Sequence, residues 1–100
     1  GTEIVAVLDW EDAAIGDPLS DVAGAMLELR YVAGAEGAAR FRDAYARHHP
    51  LRTERLALWQ IYVAAAAQHF MGAWRLEPAR EAHMRREALA SIAEAVDRLE

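Results

Sequence analysis

The stretch Val7-Leu8-Asp9-Trp10-Glu11-Asp12-Ala13-Ala14-Ile15-Gly16-Asp17-Pro18-Leu19-Ser20-Asp21-Val22-Ala23 decides how this chain is read. Ile4, Val5, Val7 and Leu8 make an almost unbroken apolar run over residues 3–9, the pattern of a short strand buried on both faces. Such a strand delivers the Asp9 carboxylate to its C-terminal end. Residues 10–16 read as a loop that carries Glu11 and Asp12. Asp17-Pro18 then opens a helix. An Asp at the N-cap accepts a backbone N–H, and a Pro at the first helical position sacrifices no intrahelical bond. Asp21 falls in the first turn, where the helix dipole favours negative charge.

A carboxylate at a strand tip beside an acidic loop can hold a hard cation next to a phosphate. Mg²⁺ takes one or two carboxylates and completes its shell with phosphate oxygens and water. Asp9 is the candidate ligand, with Glu11 as a second or water-mediated one. The competing role for Asp9 is to cap its own loop by accepting backbone N–H groups, and spacing alone does not separate the two. Asp17 is expected to be a helix cap rather than a ligand. Asp21 is expected to accept loop N–H groups and hold the acidic loop in shape. Trp10 reads as a core residue.

Four helices are expected after residue 17. The first has an apolar stripe of Leu19, Val22, Met26 and Leu29, with Ala23 and Leu27 beside it, and Gly34 is its stop signal. The second runs from about Glu36 to His48, with Ala38, Phe41, Ala44 and Tyr45 inward, and Pro50 closes it. The third, near Thr53 to Leu76, is apolar nearly all round and should be central and most buried. Pro78 opens the fourth, whose core positions are Met84, Ala88, Leu89, Ile92, Ala95, Val96 and Leu99. His69 is expected to be a hydrogen-bonded core residue and His83 to be exposed. The domain plan is therefore a strand and metal-binding loop over residues 1–17 and a helical lobe over residues 18–100, parts of one larger domain.

Composition narrows the chemistry. One hundred residues suffice for one small domain, and 54% hydrophobic content supports a core. Cys is absent, which excludes disulfides, thiolate catalysis and Cys-based zinc sites and suits the cytoplasm. The chain starts at Gly1 with no Met, which is expected to be a cut or processed end. Residues 1–36 hold eight acids against one base, Arg30, whereas the remainder holds eight acids and ten bases, all Arg. An acidic first third disfavours nucleic acid and suits a cation. The uncharged run from Leu56 to Trp74 is long enough to span a bilayer. Gln60, Gln68 and His69 interrupt it and Ala adds little hydrophobicity, so no membrane partner is expected. There is no HExxH, GxSxG, GxGxxG or Walker loop.

In this setting residues 7–23 resemble the segment that follows the catalytic loop in the aminoglycoside phosphotransferase family, which has a protein-kinase-like fold. Asp-Trp-Glu, Gly-Asp-Pro and the later Asp occur in family order and spacing. The resemblance implies a mostly α fold, the C-terminal lobe portion of a kinase-like fold: a short N-terminal β-strand and acidic loop followed by about four helices. It implies that Asp9 matches the Asp of the kinase Asp-Phe-Gly motif, which binds Mg²⁺ bridging the nucleotide phosphates. Trp10 and Glu11 stand in place of Phe and Gly, and Asp21 matches a family Asp that supports the metal loop. ATP or GTP and a small hydroxyl-bearing substrate are the implied partners, along with the missing N-terminal part of the same protein.

Phosphoryl transfer in this fold also needs a phosphate-binding loop, a Lys on the phosphates and a catalytic loop bearing an Asp base and an Asn. This chain has no Lys, no Asn and no His-Gly-Asp. It is therefore expected to be a C-terminal part of a larger enzyme, inactive alone, with no catalytic base of its own. The rival expectation is a non-enzymatic helical module whose long apolar helix packs in a dimer.

Overall fold

A computed structural model describes residues 17–100 of the chain. The expected strand over residues 3–9, the loop over residues 10–16, and with them Asp9, Trp10 and Glu11, lie outside the described residues. Among the described residues there is no strand. Three α-helices are present, α1 (Pro18–Ala46), α2 (Thr53–Phe70) and α3 (Pro78–Leu99), with a 3₁₀ turn over Met71–Trp74 between the last two.

About four helices were expected and three are found, because the two segments flanking Gly34 run on with no loop between them. The expected stop at Gly34 survives as a break within α1: Gly34 has φ 72° and ψ −175°. That conformation is essentially restricted to glycine. A Cβ at Gly34 would meet nothing within 4 Å, so the restriction is conformational rather than steric. Next to it, Gly37 has no such room, because a Cβ there would lie 2.5 Å from the Ala33 Cβ. The break lets one chain segment pack two differently directed faces. Leu19, Val22, Ala23, Met26 and Leu27 are buried from the first half, and Ala38 from the second, with Phe41 and Tyr45 partly buried beside it.

The α2 helix packs against both other helices and links two apolar clusters. Its N-terminal half supplies Leu56 and Trp59 to a cluster with both halves of α1. Its C-terminal half supplies Ala64 and Ala67 to a second cluster with Leu27, Met71, Met84 and Ala88. Val63 touches both. Leu56 and Met71 are fully enclosed. Small residues at Ala64, Ala67 and Ala88 let the helix backbones approach closely.

Several sequence expectations are corrected. The third helix was expected to reach Leu76 but ends at Phe70, where the chain tightens into the 3₁₀ turn and Arg75 adopts a left-handed conformation (φ 55°, ψ 44°). Its last turn is fixed from outside, because Arg85 Nη1 donates to the Gln68 carbonyl at 3.1 Å and to Gln68 Oε1 at 2.8 Å. This helix is also not buried all round: Leu58, Tyr62 and Phe70 are exposed. His69 is exposed rather than in the core, and its ring packs edge-on against Phe70 at 4.7 Å. Leu89, Val96 and Leu99 on α3 face outward, leaving Met84, Ala88, Ser91 and Ala95 as the buried positions. With only two helices to pack on, α3 buries a narrow stripe rather than the wide one its apolar residues allow. No described helix is long and apolar enough to cross a membrane.

The break yields a paired test. Gly34→Ala should cost about 1–3 kcal/mol from backbone strain, a fall of roughly 4 °C or more in Tm for a chain of this size. Gly24→Ala, in the first half of α1 with open space around it, should gain up to about 1 kcal/mol from its higher helix propensity. Thermal unfolding that shows equal shifts for both would contradict this account of α1.

Candidate functional site

Asp17 sits at the junction of the acidic segment and the helices. Its Oδ1 accepts the Leu19 amide at 3.0 Å, which is the N-cap bond of α1. Its Oδ2 accepts Arg55 Nε at 2.5 Å and Trp59 Nε1 at 2.9 Å, both from α2. Ser20 adds a turn of its own, its hydroxyl donating to the Asp17 carbonyl at 2.8 Å. The Asp17 side chain is only 8% exposed. Burial pushes its carboxyl upward. The hydrogen bonds from Arg55, Trp59 and Leu19 and the Arg55 charge outweigh that and hold it below the ordinary carboxylate value. Both Asp17 oxygens are thus taken up by protein donors, in keeping with the expected helix cap.

Asp21 lies one turn on, in the first turn of α1 and exposed. The loop groups it was expected to hold precede the described residues. No group of three or more His, Cys, Asp or Glu side chains suited to a metal ion occurs among the described residues. Of the sequence candidates, then, Asp17 and Asp21 share the start of α1, while Asp9 and Glu11 fall outside the described residues. An open hollow of about 470 Å³ adjoins Asp17, lined by Leu19, Tyr45, His49, Arg52 and Arg55.

A second polar constellation was missed in the sequence reading. Arg30 of α1 is buried, and its two Nη atoms donate to the two carboxylate oxygens of Glu94 on α3 at 2.8 and 3.1 Å. Glu87 Oε1 lies 3.7 Å from Arg30 Nε, too far to hydrogen-bond it. The Arg30 bonds hold the Glu94 carboxyl below its ordinary range, against the partial burial that raises it. The signal was available: Arg30 follows Met26 and Leu27 at helical spacing, so a charge stands in an apolar stripe and demands a partner.

Tyr31 is a further case of burial acting on a titratable group. Burial, with a contribution from the Glu28 charge, pushes its phenol up to about 12. It is a neutral group at physiological pH and no base.

The anchoring role of Asp17 predicts a graded loss of stability. Asp17→Ala removes the cap, about 1 kcal/mol, and the acceptor shared by Arg55 and Trp59. The total should reach roughly 2–4 kcal/mol. Asp17→Asn keeps an acceptor oxygen and should cost less. Because the folded carboxyl titrates below its unfolded value of 3.8, its contribution is complete above that pH and disappears as pH falls below it. Urea midpoints compared at about pH 5 and about pH 3 should fall less steeply for Asp17→Asn than for the parent. Glu94, shifted in the same direction, supplies a residual slope in both.

Comparison with known proteins bears on the whole acidic segment. Residues 1–59 match the family model described as the phosphotransferase enzyme family. The match runs through Asp9, Asp17, Asp21 and all of α1, and ends at Trp59, the residue whose indole holds Asp17. No curated protein and no solved structure matches the chain. With more than half of its length matched, and with the Asp-Trp-Glu and Gly-Asp-Pro spacing that first suggested it, the chain belongs to the phosphotransferase enzyme family.

Proposed function

We propose that this chain is the C-terminal, metal-site-bearing part of an ATP- or GTP-dependent, Mg²⁺-dependent enzyme that phosphorylates a hydroxyl of a small molecule. Its helices would form part of the C-terminal lobe of a kinase-like fold. The observation that carries this reading is the family match over residues 1–59, together with the resemblance of residues 7–23, which implies that Asp9 is the metal-binding Asp.

Two of the described acids are already engaged within the fold. Asp17 is committed to Arg55, Trp59 and the Leu19 amide, and Glu94 to Arg30. The metal ligands of this reading are Asp9, with Glu11 as a second or water-mediated one. When bound there, Mg²⁺ would neutralise charge on the nucleotide phosphates. The chain's own contribution is positional. Pro18 and the cap at Asp17 begin α1 eight residues after Asp9, and Arg55 and Trp59 pin that start to α2. Asp21, in the first turn of the same helix, would brace the acidic loop. Positioning and charge neutralisation supply most of the barrier reduction in phosphoryl transfer. The phosphate-holding Lys and the metal-binding Asn of this reaction class would come from outside these residues, since the chain contains neither, and so would the catalytic-loop Asp, since it contains no His-Gly-Asp.

Asp9→Ala in the complete enzyme should abolish phosphoryl transfer to the acceptor while leaving the helical circular dichroism signal unchanged. Activity that survives within about tenfold, roughly 1.4 kcal/mol in barrier height, would show the metal assignment to be wrong.

A further inference from the structure

The break at Gly34 creates a hollow of about 190 Å³ between the two halves of α1, α2 and the C-terminal part of α3. Its polar lining is Arg30, Arg42, Gln60, Ser91, Glu94 and Arg98, and the rest is alanine and Met26. Ala35, Ala38, Ala39 and Arg42 occupy one helical face at i, i+3, i+4 and i+7, so the same turn that packs Ala38 inward brings Arg42 to the rim.

The charges around this hollow do not balance. Glu94 uses both oxygens on Arg30. Arg42 reaches Asp43 only at 3.3 Å, and Asp43 is exposed. Arg98 donates to the neutral Gln60 Oε1 at 2.7 Å, and no carboxylate lies within 4 Å of it among the described residues. Glu87 serves the far side of Arg30 at 3.7 Å. Burial, and then repulsion from Arg42, lower the Arg98 guanidinium's affinity for its proton, with Glu94 opposing and Arg30 adding to the repulsion. A half-buried cation held against other cations is an unfavourable arrangement that an anion would relieve. Planar guanidinium forks are suited to tetrahedral oxoanions. The volume exceeds several times the roughly 30 Å³ share of one water, so a phosphate-sized group fits with solvent.

We propose that this hollow is an oxoanion site, in which Arg42 and Arg98 grip a phosphate group, the Ser91 hydroxyl completes the shell, and the Arg30–Glu94 pair forms the rigid back wall. The phosphate group could be free inorganic phosphate or the phosphate of a nucleotide. The site draws on none of Asp9, Glu11, Asp17 or Asp21, so it stands independently of the phosphotransferase reading.

Inorganic phosphate titrated into the purified protein, with chloride holding ionic strength constant, tests this. Thermal unfolding should show a saturable rise in Tm, and calorimetry should give one site per chain. Arg98→Gln and Arg42→Gln should each weaken phosphate binding at least tenfold, whereas Arg80→Gln, at an exposed position of α3, should leave it unchanged. Arg98→Gln removes a repelled charge but also the donor to Gln60 Oε1, so each variant's Tm is compared with and without phosphate rather than with the parent. A nucleoside triphosphate that displaces phosphate from the parent, but not binding elsewhere in Arg98→Gln, would identify nucleotide as the source; phosphate binding untouched by nucleotide would identify the free anion. No response beyond that of chloride, or an equal response in the parent and both variants, would overturn the proposal.

Discussion

One carboxylate carries the geometry of the N-terminal end of this structure. The Asp17 side chain caps α1 with one oxygen and receives two donors from α2 with the other. It therefore sets where the first helix begins, how that helix meets the second, and where the preceding acidic segment must end. A buried anion with fewer donors would be costly. With three donors, two of them charged or aromatic side chains on a separate helix, its desolvation is offset and its position is set. Leu19, Val22, Leu56 and Trp59 pack immediately beyond it, so the polar junction and the first apolar cluster support one another.

The second constraint lies at the other side of the bundle. Arg30 and Glu94 are far apart in sequence yet meet in a two-fork contact that ties α1 to α3. Gln68 and Arg85 make a reciprocal tie between the end of α2 and the start of α3, the Gln68 amide donating to the Arg85 carbonyl at 2.9 Å. These contacts are directional, whereas the small apolar residues between the helices permit several sliding arrangements. The ties select one. The glycine at residue 34 makes both sets compatible, because a straight α1 could not present Leu19 and Ala38 to α2 while holding Arg30 against α3.

On the proposed reading, the rigid start of α1 would serve phosphoryl transfer. Charge neutralisation by a metal depends on holding its carboxylate ligand at a set place. On that reading, Asp9 would be only as well placed as the next fixed point in the chain. Asp17 provides that point through Arg55 and Trp59, and the family match ends at this second residue. The charge at residue 17 would, on the same proposed reading, serve the metal site indirectly, through the start of α1.

Much of this was open to reading from local sequence. Asp17-Pro18 announced the start of α1, Gly34 its interruption, Pro78 the start of α3, and the ordered acids of residues 9–21 the phosphotransferase family. Each depends on chemistry within a few residues: a cap, a missing N–H, a permitted φ, a motif's spacing. What the sequence left undecided depends on neighbours distant along the chain. Whether Leu89, Val96 and Leu99 are covered, where α2 stops, that Asp17 is taken by Arg55 and Trp59, and that Arg30 finds Glu94 while Arg98 finds no carboxylate are settled only when three helices meet. Local propensity sets which elements form. Which of their faces find partners is a property of the packed whole, because burial and ion pairing are long-range in sequence even though they are short-range in space.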